Sequence, residues 1–138
     1  MYTTQKGFTL IELVVVIVLL GILGVTALGK FEDLSTEAAE AATDGVASEL
    51  SSSSAVNYAA STLGSGGDAI ATGSDGCTDG ALGVLFAAGT FPAGYTASGS
   101  AAGVCNTIGG AGEAFNCTVT YDDDTSITAT ATVICTGT

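Results

Sequence analysis

From Phe8 to Leu28 the chain runs Phe-Thr-Leu-Ile-Glu-Leu-Val-Val-Val-Ile-Val-Leu-Leu-Gly-Ile-Leu-Gly-Val-Thr-Ala-Leu, with Glu12 as its single charged residue. As a helix rising about 1.5 Å per residue, the stretch spans roughly 32 Å, enough to cross a bilayer core. Such a segment must be given to lipid or to other protein, because its apolar residues leave no polar face for water. A secretory signal peptide would carry a shorter apolar region, a small-residue cleavage site after it and no internal acid, and this segment fits none of those. A carboxylate at a helix centre in lipid costs about 2.5 to 3.5 kcal/mol, and less near an end. Glu12 lies near the start, so the residues alone leave two readings open: it snorkels to the interface, or it has a partner.

Ahead of the stretch stands a short polar leader, Met1-Tyr-Thr-Thr-Gln-Lys6-Gly7. Lys6-Gly7 followed by Phe8-Thr-Leu-Ile-Glu12-Leu and a long aliphatic run resembles the prepilin signal of type IV pilins and type II secretion pseudopilins. The resemblance implies a leader of residues 1–7 removed by a prepilin peptidase on the cytoplasmic side of the membrane. Cleavage falls between Gly7 and Phe8, and the new amino group of Phe8 is then N-methylated. Glycine suits that position, since its bare backbone can enter a protease site in an extended form. Glu12 is implied to pair with the Phe8 amine of a neighbouring copy, which makes a buried charge into a device for setting register. The implied fold class is α+β, the type IV pilin fold, in which the C-terminal half of a long N-terminal helix packs on a small antiparallel β-sheet head. The expected divisions are a membrane or filament-core helix over 8–29, an amphipathic continuation over 30–60 and a β-rich globular head over 61–138.

Charge and composition argue against catalysis and nucleic-acid binding. Two basic residues, Lys6 and Lys30, face 14 acidic ones for a net charge of −12, and there is no His. No basic patch exists to attract phosphates. Without His there is no Ser/His/Asp or Cys/His set, and no arrangement of carboxylates picks out a general acid and base, so no enzyme and no cofactor are expected. The 4 cysteines, Cys77, Cys105, Cys117 and Cys135, lie outside the apolar segment. In an exported domain an even count reads as two disulfides. A zinc site is disfavoured by the absence of His and of any Cys-x-x-Cys pair.

Beyond the apolar segment, Phe31, Leu34, Ala38, Ala41 or Ala42, Gly45 or Val46, and Leu50 recur at helical spacing, with Glu32, Asp33, Glu37, Glu40, Asp44 and Glu49 mostly between them. No Pro interrupts, so a single helix of about fifty residues is expected, stopping between Ala59 and Gly67 where Ser, Gly and Asp accumulate. Ser51 to Ser54 is its weak point, because serine competes for backbone hydrogen bonds. Gly21, Gly24 and Gly29 each weaken the apolar helix by around 1 kcal/mol relative to Ala. Many pilins have a proline where this chain has Gly29, and local unwinding between Gly21 and Gly29 is expected on assembly.

In the head, Asp79 to Gly89 reads as a short apolar helix ended by glycine, and Pro92-Ala-Gly94 as a turn. Phe115 to Tyr121 and Ile127 to Cys135 alternate apolar and polar residues around an Asp122 to Thr125 turn, the pattern of a hairpin. One face carries Cys117, Val119, Tyr121, Ile127, Ala129, Ala131, Val133 and Cys135, with threonines opposite. In a tight hairpin Cys117 faces a residue near Ala131, roughly 13 Å short of Cys135. Three pairings of the cysteines are open on sequence. The pilin resemblance favours Cys117 with Cys135, closing a loop near the C-terminus, and Cys77 with Cys105. Asp122, Asp123 and Asp124 are a weak calcium candidate beside the simpler reading of a solvated turn, and no metal is expected. Asn116-Cys-Thr118 matches a glycosylation sequon by chance, and Gly64 to Gly67 and Gly109 to Gly112 read as loops.

Gly29-Lys30-Phe31, the acidic Ala-rich helix, Phe91-Pro-Ala-Gly-Tyr95 and Cys117-Thr-Val-Thr-Tyr121 also resemble mannose-sensitive haemagglutinin (MSHA) type pilins. The implied function is a structural subunit of a type IV pilus, held in the inner membrane and then polymerised into a surface filament for attachment or motility. Its implied partners are copies of itself, the prepilin peptidase and N-methyltransferase, an inner-membrane assembly platform and an outer-membrane secretin. A pseudopilin of a type II secretion machine is the alternative, and a binding protein on a single-pass anchor a third reading.

Overall fold

The computed structural model describes residues 7–70, 76–99 and 111–136. Helix α1 spans Leu10–Thr62, 53 residues, and stops where Gly64-Ser65-Gly66-Gly67 lacks helix formers and Gly64 takes a positive φ of 67°. The chain divides into two compact units, Met1–Glu37 and Ala38–Thr138. In the first, every described residue is exposed.

The second unit is built on an antiparallel sheet in the order β1-β2-β3, with β1 at Tyr95–Ser98, β2 at Ala114–Tyr121 and β3 at Thr128–Ile134. Strand alternation sends Phe115, Cys117 and Val119 of β2, with Ala129, Ala131 and Val133 of β3, into the core. Cys117 pairs across the ladder with Ala131, as the hairpin pattern requires. Tyr121 is only half-buried and packs on Tyr95, ring centroids 5.6 Å apart. Ala47 and Leu50 of α1 join this core together with Ile70, Leu82 and Phe86. Helix α2, Asp79–Leu82, is capped by the Thr78 hydroxyl, which accepts the Ala81 N–H at 3.3 Å. It runs into a 3-10 turn at Gly83–Leu85, and Gly89 (φ 70°) and Gly94 (φ 85°) make the turns that lead to β1.

The helix face turned to the sheet follows its spacing only in part. Leu50 is buried and Val46 half-buried against the core as the spacing suggests, but Thr43, Ala47 and Ser54 are buried as well, whereas Phe31, Leu34, Ala38, Ala41, Ala42 and Gly45 are exposed. Polar residues can occupy the inner face because they have work to do there. Ser51 Oγ accepts the Thr132 N–H at 3.0 Å and Ser54 Oγ accepts the Ile134 N–H at 2.7 Å, so the helix satisfies amides on the free edge of β3. The serines expected to weaken the helix thus join it to the sheet, and it is unbroken across them. Below them, the Asn57 side chain donates to Asp68 O and accepts from Asp68 N–H, both at 2.8 Å. Thr136 Oγ1 accepts the Ile70 N–H at 2.8 Å and donates to Asp68 O at 2.9 Å. At the other sheet edge Asp79 Oδ1 accepts the Ala97 N–H at 2.6 Å.

The disulfide pairing inferred from the resemblance is corrected. Cys77 bonds to Cys117, with Cα atoms 5.5 Å apart. The ladder explains why Cys117 does not take Cys135: the Cys135 N–H and carbonyl pair with Glu113 O and Gly112 N–H, at the opposite end of β2. The segment before α2 instead lies over the middle of β2. Gly99, at φ 139°, makes room, since a Cβ there would come within 2.9 Å of Cys77 Sγ. Cys135 is also disulfide-bonded, and Cys105 and residues 1–6 lie outside the described residues.

Candidate assembly site

The N-terminal part of α1 is apolar around its whole circumference. Its mean hydropathy over the best 18-residue window is 2.8, and none of that window is buried within the chain. Phe8 is 86 % exposed, Leu10 80 % and Val25 77 %. Covering one such side chain is worth about 1.5–3 kcal/mol, so the segment has a strong drive towards lipid or other helices.

The helix starts with a reciprocal cap. Thr9 precedes the first helical residue, Leu10, and Glu12 follows three positions later. Glu12 Oε2 accepts both the Thr9 N–H at 2.9 Å and the Thr9 hydroxyl at 2.8 Å, while the Thr9 Oγ1 accepts the Glu12 N–H at 3.4 Å. This is a capping box, satisfying orphan donors of the first turn and placing a carboxylate at the positive end of the helix dipole. Glu12 therefore has a partner within its own chain, in addition to any on a neighbouring copy. The signal for it was present in Thr9-Leu-Ile-Glu12, an S/T-x-x-E pattern just before an apolar run. Among the described residues Glu12 Oε1 makes no hydrogen bond, so one carboxylate oxygen is open.

Gly7 and Phe8 are exposed and lie outside the helix. The bond between them is in a non-helical segment, the form in which a protease takes a substrate. Gly21, Gly24 and Gly29 are helical, and a Cβ at any of them would meet nothing within 4 Å, so no packing inside the chain calls for glycine there.

The acidic turn of the hairpin is internally bonded. Asp124 Oδ1 accepts the Ser126 hydroxyl at 2.6 Å and the Ser126 N–H at 3.0 Å, and these bonds hold its carboxyl below the ordinary carboxylate range. Asp123 accepts the Tyr121 hydroxyl at 3.0 Å, which, with the nearby carboxylate charge, pushes the phenol up. Asp122 donates its N–H to Gly94 O. Asp122, Asp123 and Asp124 thus serve the turn, and no group of three or more His, Cys, Asp or Glu able to hold a metal occurs among the described residues.

A long helix with an exposed apolar start, followed by a small antiparallel sheet, gives a pilin-like α+β architecture whose conspicuous feature is an uncovered apolar surface. Comparison with known proteins makes this specific. The family model of the prokaryotic N-terminal methylation motif matches residues 2–28. The type IV narrow pilus major component PilA5 of Thermus thermophilus is 47% identical over 51 residues, 37% of this chain and 44% of that protein. The chain therefore matches less than half the length of that relative. No solved structure matches the chain significantly. The chain thus carries a prokaryotic N-terminal methylation motif and, over 51 residues, is similar to a type IV pilus component.

Proposed function

We propose that this chain is the repeating subunit of a type IV pilus. The observation that carries the reading is the fully exposed apolar start of α1, opened by the Thr9–Glu12 cap and coincident with the methylation motif. In this reading the chain waits in the inner membrane, a prepilin peptidase removes residues 1–7 and Phe8 is N-methylated. Copies then leave lipid for one another through the assembly platform and pass a secretin to the cell surface, their heads outward. The methylated Phe8 amine of one copy meets the open Glu12 oxygen of another. Gly21, Gly24 and Gly29, helical in the single chain, are where the helix unwinds on assembly. The expected organisation is a core helix over 8–29, its continuation over 30–60 and a head over 61–138. Mass spectrometry of the subunit's N-terminus, with electron microscopy of sheared filaments, tests the reading. Methylated Phe8 in long surface filaments supports it; methylated Phe8 without them points to a secretion pseudopilin, and an uncut Gly7–Phe8 bond refutes both. Glu12→Ala should leave insertion and cleavage intact and abolish filaments.

A further inference from the structure

Lys30 stands at the end of the apolar segment, and no basic residue follows it in the chain. Its ion pair is with Asp33 at 3.5 Å, and the two side chains are 83 % and 67 % exposed. Such a pair is strongly solvated and holds the lysine weakly. Beside it Phe31 and Leu34 are exposed apolar residues with no cover within the chain. Further along α1, Glu37, Glu40 and Asp44 are exposed and spaced three and four apart, so on a helix they repel one another. A chain without its leader carries one basic side chain, Lys30, against this row.

We propose that Lys30, with Phe31 and Leu34 beside it, docks on the Glu37, Glu40 and Asp44 face of α1 in a second copy. The proposal rests on the filament reading and adds a specific contact to it. The occupant is a second copy because charge and apolar surface complement each other along one sequence: cation and large apolar residues first, carboxylates after. A copy displaced by about 10 to 21 Å along the helix axis brings Lys30 level with one of the three acids. The contact is head-to-tail and does not close on itself, so it propagates as a filament. Covering Phe31 and Leu34 removes water from the lysine, which strengthens the intermolecular pair over the exposed Lys30–Asp33 one.

The test uses full-length chains expressed in the cell, scored for filament yield, N-terminal processing and filament survival in rising salt. Wild type, Lys30→Arg and Asp33→Asn are expected to form filaments. Lys30→Glu is expected to lower yield at least about tenfold with cleavage and methylation unchanged, and Glu40→Lys in that background to restore it. Wild-type yield and salt stability from Lys30→Glu would overturn the proposal. So would loss of filaments that lysine at none of positions 37, 40 and 44 rescues. Absence of filaments from the wild-type chain would overturn the filament reading itself, and this contact with it.

Discussion

Ser54 offers the sharpest measure of how the long helix holds the head. Its side chain is fully buried, and its oxygen accepts the Ile134 N–H of β3 at 2.7 Å. Ser54→Ala leaves that amide without its acceptor in a partly buried position, a loss of about 1–3 kcal/mol. The change also removes serine from a helix interior, which returns about 0.5 kcal/mol. The net expectation is about 1–2 kcal/mol, or roughly 5–15 °C in melting temperature for a head of this size. Ser52→Ala is the matched control, because Ser52 donates only to Glu49 O, at 3.0 Å on the exposed side. It takes the same propensity gain with no strand bond to lose, so it should be neutral or slightly stabilising. Amide hydrogen exchange of the detergent-solubilised chain reads the local effect: Ile134 exchange should accelerate about 5- to 30-fold in Ser54→Ala and stay put in Ser52→Ala. Equal Ile134 protection in wild type and Ser54→Ala would refute the joint between helix and strand. Equal destabilisation by the two substitutions would show that serine content, rather than the bond to β3, sets stability.

Three further outcomes follow from the same geometry. Removing the Cys77–Cys117 bond, which closes a separation of 40 residues, as Cys77→Ala with Cys117→Ala should cost about 4 kcal/mol by loop entropy, read as a fall in melting temperature under non-reducing conditions. Thr9→Val removes the hydroxyl of the helix cap and should cost about 1 kcal/mol at the first turn, with Thr9→Ser retaining it, measured by amide exchange at Glu12 and Leu13 in micelles. The Asp124 carboxyl is held low when folded, so its turn bonds contribute above the ordinary carboxylate range and are lost as pH falls through the folded value. Ser126→Ala should move the NMR titration midpoint of Asp124 upward and remove that part of the acid sensitivity.

Elements whose residues decide their own structure were legible in sequence. The hairpin is one: alternation from Phe115 onward assigns the core face residue by residue, and the ladder places Cys117 opposite Ala131 as that alternation demands. The extent of α1 is another, because nothing from Leu10 to Thr62 interrupts a helix and glycine and serine gather just after it. The buried face of α1 was read correctly at Leu50 and Val46 and misread elsewhere for a physical reason. Hydrophobic spacing assumes the inner face is apolar, but this helix lies along a strand edge whose amides need acceptors, so Ser51 and Ser54 share the inner side with Ala47 and Leu50, while the buried Thr43 hydroxyl is satisfied by the Ala39 carbonyl of its own helix. The disulfide failed for a related reason. Its partner comes from a loop whose path the ladder does not fix, and family resemblance supplied a pairing that the ladder offset of Cys135 forbids.

Glu12 joins the two scales of the molecule. The single chain satisfies it with Thr9, so the acid enters the apolar segment already hydrogen-bonded through Oε2. A carboxylate so bonded costs less to place near lipid than a bare one, which removes the need for an intermolecular partner merely to insert. It also leaves Oε1 open, and a neighbour's ammonium can approach that oxygen while the cap stays closed. Assembly in the proposed filament then adds a charge pair without breaking the helix start. An acid that had to surrender its cap to meet its partner would set the two bonds against each other; here one carboxylate has an oxygen for each.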